Sequence, residues 1–413
     1  MDTSRVILHC DLNNFFAAVA CLLNPELRGK PVAVCGNPKL RKGIVLAKSE
    51  IAKQCGVKTG MAIWQARQLC PDLIVVPPNY HAYTRYSQQV QQIYYRFTNQ
   101  VESFGIDECW LDVTGSQKLF GDGVAMAHQI RTAVKHEVGL TISVGVAFNK
   151  TYAKLGSDLA APDAVTVINA ENYQQLIYPL PLESLLFVGK KTQLALSKLN
   201  LRTIGDLARS DLAVLRPILG INADKLVAAA RGEENNPVAD FDRHTPPKSV
   251  GNGTTTPMDL TTVAQVEQVV YLLCEKVAYR LRRYHLQGYT VSLAVKGADL
   301  SWVSAQHSLT IPTNTVPSMR QAAMAIFVKI WPGNPAALPP VRALRVAVSH
   351  LVTQVAVQTN FLGDDDTEHK QRILAQVFDT VRAKYGSEHI MLGGTPQSYQ
   401  QLGVHIEIND DDR

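Results

Sequence analysis

The chain has 413 residues, 46% hydrophobic and 19% charged, the composition of an ordinary globular protein of roughly two to four domains. No apolar run approaches the roughly 20 residues of a membrane-spanning helix, and the opening MDTSRVILHCDL lacks the charged and apolar regions of a signal peptide, so a cytoplasmic protein without a membrane partner is expected. The net charge of +5 is uneven: residues 353–413 hold ten acids and five bases, leaving 36 bases against 26 acids before them, a basic body that suits a polyanionic partner.

RVILHCDL is a short apolar run ending in an acid, the pattern of a buried strand. NNFFAAVACLL follows with helical spacing of Phe15, Val19, Leu22 and Leu23. Residues 28–80 read as a small mixed insert: strand PVAVCG, basic loop NPKLRKG, strand IVLA, helix SEIAKQCG and helix IWQARQLCP. A long helix is predicted over 81–98. QVESFGI and CWLDVTG then form a strand pair, with Asp107 and Glu108 at the joint. The helix FGDGVAMAHQIRTAVKHEVG, the strand LTISVGVAF, a helix from near Asn149 and the strand AVTVI complete the first part. Without the insert, residues 1–170 spell β-α-β-β-α-β with one extra helix, a ferredoxin-like split βαβ fold.

Residues 172–237 are helical, with two helix-turn-helix units and Gly189, Gly205 and Gly220 at the turns. NNPVADFDRHTPPKSVGNG, rich in Pro, Asn and charge, is the linker. Beyond it, strand SVGNGTTT, a long amphipathic helix, strands GYTVSLAVK and WVSAQHSLTI, helix SMRQAAMAIFVKIW and strand VRALRVAVSHL again read β-α-β-β-α-β. A second domain of similar topology is expected there. The tail from about 353 holds one helix, TEHKQRILAQVFDTVRAKYG. Seven dispersed cysteines (Cys10, Cys21, Cys35, Cys55, Cys70, Cys109 and Cys274) form no CxxC pair, which argues for buried thiols in a reducing compartment.

The chemistry gathers at three acids. In a split βαβ fold the first strand lies beside the hairpin, so Asp11 meets Asp107 and Glu108 at one edge. Clustered carboxylates repel unless cations neutralise them. An oxygen-only cluster suits Mg²⁺, and two such ions can activate an attacking hydroxyl and stabilise a leaving oxygen. Asp11 alone reads as well as a helix N-cap, and Asp107–Glu108 alone as solvated turn residues. The three together favour the metal.

HCDLNNFFAAVACLLNPELRGKPVAVCG, FGIDECWLDVTG and GVAFNKTYAKLGSDLAAPD together resemble, in order and spacing, the motifs of the Y-family (translesion) DNA polymerases, with the match running from residue 5 to about 240 and more weakly through 351. The resemblance is to the bacterial DinB-UmuC-like group. It implies an α+β, right-hand polymerase with a ferredoxin-like palm (1–14 and 81–170), small fingers (15–80), a helix-hairpin-helix thumb (171–240), a linker (241–249), a βαββαβ little finger (250–351) and a tail (352–413). It implies that Asp11 and Asp107 bridge two Mg²⁺ ions, with Mn²⁺ as a substitute, that Glu108 completes the site and that the Leu12 carbonyl adds an oxygen. Phe16 falls at the steric-gate position against the dNTP sugar, with Phe15 beside it; Lys53 and Lys154 fall near the triphosphate. Primer-template DNA and dNTPs are the implied partners of a monomeric, nucleoid-associated enzyme, with QTNFLG of the tail at the place of a sliding-clamp peptide.

The motifs depart from the family pattern at Glu50 and Lys53, which replace a Tyr-x-x-Arg pair, and at Ala161, which replaces a phosphate-binding Lys. Lys42, Lys48, Lys150 and Lys154 are near enough in sequence to compensate. In the thumb, LLFVGKKTQLALSKLNLRTIGDLA resembles a helix-hairpin-helix that aims backbone N–H groups at a DNA phosphate, with Lys191 at the usual second glycine. Lys248, Arg280, Arg282, Arg283, Lys296, Arg342 and Arg345 could track a DNA backbone from the little finger. Three other readings compete: a catalytically silent adaptor, a nucleotide cyclase on a similar palm, and an RNA-binding module. A cyclase needs no such thumb or second domain, and no RNP-like aromatic pattern is present.

Overall fold

The computed structural model describes residues 4–241, 246–334, 337–353, 365–386 and 390. The QTNFLG stretch lies outside them. The chain divides into two compact units, residues 1–36 with 44–244 and residues 37–43 with 245–413.

The first unit is organised by β1 (Ile7–Leu12), which leads through α1 (Phe15–Leu23) into a small sheet of β2 (Val32–Cys35), β3 (Val45–Lys48) and β4 (Ile74–Val76), with α2 (Glu50–Gln54) and α3 (Ile63–Leu69) between the last two strands. Strand β4 was not expected from the sequence; it is only three residues long and forms because it lies parallel to β2, with Val75 opposite Ala33. Then come α4 (Tyr80–Tyr95), β5 (Val101–Ser103), β6 (Glu108–Asp112), α5 (Gln117–Phe120), α6 (Gly123–Ala133), β7 (Ile142–Ala147), α7 (Lys150–Leu159) and β8 (Val165–Val167). The main sheet runs β5-β6-β1-β7-β8. As expected, β1 lies beside the hairpin, antiparallel to both β6 and β7.

Alternation along β1 assigns its two faces. Leu8, Cys10 and Leu12 enter the core built with α1, α4 and α6, whereas Ile7 packs into the core on the α7 side. His9 and Asp11 share that second face. All seven cysteines are free thiols, five of them buried. The single helix expected over 120–139 is interrupted at Gly121 (φ 89°); α6 starts anew with Asp122 accepting from Ala125 N at 2.8 Å, and its end widens into a π-helical turn, Val134–Val138.

The rest of this unit is helical: α8 (Tyr173–Ile177), α9 (Lys190–Ser197), α10 (Ile204–Arg209), α11 (Leu212–Leu219) and α12 (Asn222–Arg231). Two expectations change here. Gly205 is no turn residue; it lies in the first turn of α10, where a Cβ would come within 2.9 Å of Tyr178 Cβ. The turn is made instead by a reciprocal cap, Thr203 N donating to Asp206 Oδ2 at 2.9 Å and Asp206 N to Thr203 Oγ1 at 3.1 Å. In the LLFVGKK hairpin the left-handed residue is Phe187 (φ 67°), Gly189 caps α9, and Lys191 is already helical.

The second unit contains β9 (Ser249–Leu260), α13 (Val263–Arg283), β10 (Leu286–Gly297), β11 (Trp302–Thr313), α14 (Val316–Ile330), β12 (Val341–Thr353) and α15 (Asp365–Tyr385). The order of elements is as expected, but the strand order is β11-β10-β12-β9, so the topology differs from that of the first unit. There the first strand is central; here it is an edge. Pro257, which has no N–H to give a ladder, suits that edge place and lies in the irregular stretch of β9 between Thr255 and Leu260. Val291, Leu293 and Val295 of β10 and Leu344, Val346 and Val348 of β12 face α13 and α14. Arg282 does not join an open cationic face. It is held by Asp379 of α15 at 2.5 and 2.8 Å and donates to Asn314 O at 3.0 Å.

Candidate active site

Asp11 near the end of β1 is in register with Glu108 at the start of β6, and with Ser143 of β7 on its other side. Leu12 N donates to Asp107 O at 3.0 Å, which pins the Asp107–Glu108 joint to the end of β1. The three predicted acids therefore meet at one end of the sheet, where β1 finishes and β6 begins. Gly105 keeps the turn close: a Cβ there would lie 3.2 Å from Asp107 Oδ1.

Helix α7 covers this end. Asn149 caps it, accepting from Tyr152 N at 2.7 Å, and the helix packs on β1 and β7. From it Lys154 reaches the acids, its Nζ 2.7 Å from Glu108 Oε2, 3.1 Å from Asp11 Oδ2 and 2.9 Å from Asp158 Oδ1. His9, two residues before Asp11 on the same face, sets Nε2 3.3 Å from Glu108 Oε2 and Nδ1 2.7 Å from Ser157 Oγ. Burial holds His9 below its ordinary pKa, so the ring is neutral, and Ser157 Oγ, which donates to Lys154 O at 2.8 Å, accepts from Nδ1.

The acids differ in how readily they ionise. Burial pushes the Asp11 carboxyl up to about 6, with Glu108 and Asp107 adding and Lys154 opposing. Burial and the Glu108 charge also raise Asp107. Burial would raise Glu108 too, but His9 and Lys154 outweigh it and hold it at about 2. Lys154 is kept protonated: burial works against its charge, and Asp11, Glu108 and Asp158 overcome it. The donors are hard oxygens, the set that Mg²⁺ or Mn²⁺ prefers. Even so, among the described residues no group of three or more His, Cys, Asp or Glu side chains stands ready to hold a metal ion. Glu108 and Asp11 are turned onto an ammonium instead.

The remaining predicted residues fall in two sets. Phe16 is half-buried and stacks on Tyr83 of α4 with ring centroids 3.9 Å apart and planes at 6°, while Tyr80 meets it edge-on at 6.1 Å. Phe15 is withdrawn from any ligand: the residue is 3% exposed and sits in the core. Lys53 is exposed, with Nζ 3.7 Å from Glu50 Oε2, which also accepts from Asn14 Nδ2 at 3.3 Å. Such an exposed pair adds at most about 0.5 kcal/mol. Lys150 is committed to Glu102 at 2.6 Å and lies 4.7 Å from the Trp110 ring centroid. Lys48 donates to Thr59 Oγ1 at 3.3 Å. At the Ala161 departure the backbone carbonyl accepts from Ser143 Oγ at 3.1 Å.

His9, Asp158, Tyr80 and Tyr83 were missed as neighbours of the site. Signals for two of them were present: His9 is at i−2 from Asp11 on a strand, and Asp158 at i+4 from Lys154 on a helix. Nothing in the sequence joins Tyr83 to Phe16.

Comparison with known proteins agrees with this architecture. The impB/mucB/samB family matches residues 10–158 and the family's C-terminal domain matches residues 247–361. The chain is 45% identical to DNA polymerase IV of Acetivibrio thermocellus, over 94% of this chain and 97% of the relative. It is 35% identical to DNA polymerase IV 1 of Bacillus subtilis, over 99% of this chain and 97% of the relative. Among solved structures, a Y-family DNA polymerase chimera superposes with a TM-score of 0.72 at 24% identity, covering 84% of this chain and 99% of that one. With the family match spanning both units, the chain belongs to the impB/mucB/samB family of Y-family DNA polymerases.

Proposed function

We propose that the chain extends a primer on a DNA template, with Asp11, Asp107 and Glu108 holding the catalytic metal ions, in tolerance of damaged templates. The observation that carries the reading is the register of Asp11 with Glu108 across β1 and β6, with Asp107 tied to Leu12. In this reading the primer 3′-OH attacks the α-phosphate of a dNTP and its proton is lost. The P–O bond to the β-phosphate breaks, and pyrophosphate leaves. Divalent ions, when bound, make that hydroxyl more acidic and neutralise the triphosphate.

The residues of the chain do the rest. Asp11 and Asp107, whose carboxyls burial raises, would present their oxygens to a bound cation, which in turn would favour their ionised form. Glu108 is already ionised, with the Lys154 ammonium 2.7 Å from its Oε2. The ring of Phe16, backed by Tyr83, bars a 2′-hydroxyl. Residues 1–14 with 81–170 serve as palm, 15–80 as fingers, 171–240 as thumb and 250–351 as little finger, and the enzyme works as a cytoplasmic monomer on primer-template DNA. Primer extension with Mg²⁺ and dNTPs tests the assignment. Wild type extends, and Asp107→Ala/Glu108→Ala loses extension while still binding primed DNA. Wild type that binds primed DNA and does not extend it would favour an adaptor instead.

A further inference from the structure

Lys154 has a place in this site that holding metal ions does not explain. Its ammonium carries three protons, and three carboxylate oxygens stand within 3.1 Å of it, on Glu108, Asp158 and Asp11. Two of these contacts, to Asp11 and Asp158, are hydrogen bonds, and the third, to Glu108, is an ion pair at 2.7 Å. The side chain is 13% exposed, against 48% for Asp158, so the pairs to Asp11 and Glu108 face inward and the pair to Asp158 faces solvent.

Two of the three acceptors are acids assigned above to the metals. Glu108 Oε2 at 2.7 Å from an ammonium cannot also take a divalent ion at full strength, because two cations sharing one oxygen repel. We propose that Lys154 is the resident cation of this cluster. A divalent ion enters by displacing its ammonium, and the substrate triphosphate, by accepting that ammonium, couples nucleotide binding to metal binding. The inference rests on the reading of Asp11, Asp107 and Glu108 as metal-holding residues.

The geometry gives the exchange a route. Helix α7 is seated closely on β7, where a Cβ built on Gly156 would lie 3.0 Å from Gly145 Cα, and its place is taken as fixed. The movement is thus rotation of the four-carbon lysine stem about a fixed Cα. Asp158, one turn along the helix, keeps one partner on the ammonium after Asp11 and Glu108 release it. Lys150 does not substitute, being bound to Glu102.

Calorimetric titration of Mn²⁺ into the full chain, free of DNA and nucleotide, tests this. Lys154→Met is expected to bind Mn²⁺ about tenfold tighter than wild type, within the usual range of coupling between sites, and Lys154→Arg to stay near wild type. Adding inorganic pyrophosphate should tighten Mn²⁺ binding in wild type and do so less in Lys154→Met. Equal or weaker Mn²⁺ binding by Lys154→Met overturns the exchange. Asp107→Ala/Glu108→Ala separates the two ideas. If it binds Mn²⁺ as wild type does, the assignment of the acids fails. If it loses Mn²⁺ while Lys154→Met matches wild type, only the exchange fails. A readout on the unaltered chain is the ¹⁵Nζ lysine spectrum: the Lys154 signal should shift as Mg²⁺ is added, and a signal that stays still overturns the proposal.

Discussion

Gly145 of β7 and Gly156 of α7 touch through their backbones: a Cβ on Gly156 would fall 3.0 Å from Gly145 Cα, and one on Gly145 would run into Ala153 O and Ser157 N. No side-chain rotation relieves the second clash. Gly145→Ala should therefore cost about 3 kcal/mol, at the upper end for overpacking. It should also lift α7, and Lys154 with it, from β1. Gly115→Ala, with nothing within 4 Å, is the control and should be near neutral. Thermal melts with hydrogen exchange across β7 and α7 read the difference.

Arg382 and Glu275 tie the tail helix to the second unit. Nη2 lies 2.6 Å from Oε1, the two side chains are 2% and 9% exposed, and Arg382 also donates to Ile390 O at 3.2 Å. Removing one member strands a buried charge, so Arg382→Met should cost about 3–5 kcal/mol in that unit. Glu275→Leu/Arg382→Met should recover most of it, because two apolar groups of similar volume leave no charge unpaired. Hydrogen exchange in α13 and α15 is the measurement, since a chain of two units gives no single unfolding free energy.

How far the sequence was legible depends on the range of the cause. Asp11 and Glu108 could be placed together because strand period and a hairpin joint are local, and the split βαβ order does the rest. The part played by Lys154 was hidden, because it follows from how closely α7 approaches β1 and β7, and that approach is set by two glycines eleven residues apart. The strand order of the second unit was within reach. Pro257 in the first strand marks an edge, whereas apolar alternation alone leaves the order open. Phe15 and Phe16 are adjacent aromatics on one helix, and only packing against α4 sends the first to the core and the second to Tyr83. Arg282 looked like surface charge until α15 supplied Asp379.

Phe187 sits in the left-handed region at φ 67° and is 82% exposed, so its ring returns little for the strain of its backbone. A non-glycine residue there costs roughly 1 kcal/mol. Phe187→Gly should stabilise the hairpin before α9 by about that amount, less the entropy glycine adds to the unfolded chain. Hydrogen exchange at residues 185–192 reads the gain. Faster exchange in the variant would mean that the exposed ring holds the turn.

The stacked pair of Phe16 and Tyr83 separates sugar selection from simple packing. The rings lie 3.9 Å apart and nearly parallel, and Tyr80 closes one edge, so Phe16 has a rigid backing. A gate of this kind works by steric exclusion, and shortening it should act on ribonucleotides alone. Phe16→Ala should lower the ratio of kcat/KM for dNTP over rNTP on the order of 100-fold, mostly by raising the rNTP value. Tyr83→Leu leaves Phe16 in place but removes its backing. It should lower the ratio by a smaller factor, on the order of tenfold, because the ring can then lean away. Equal discrimination in wild type and Phe16→Ala would refute the gate. Equal loss in Phe16→Ala and Tyr83→Leu would make the rings one cooperating wall.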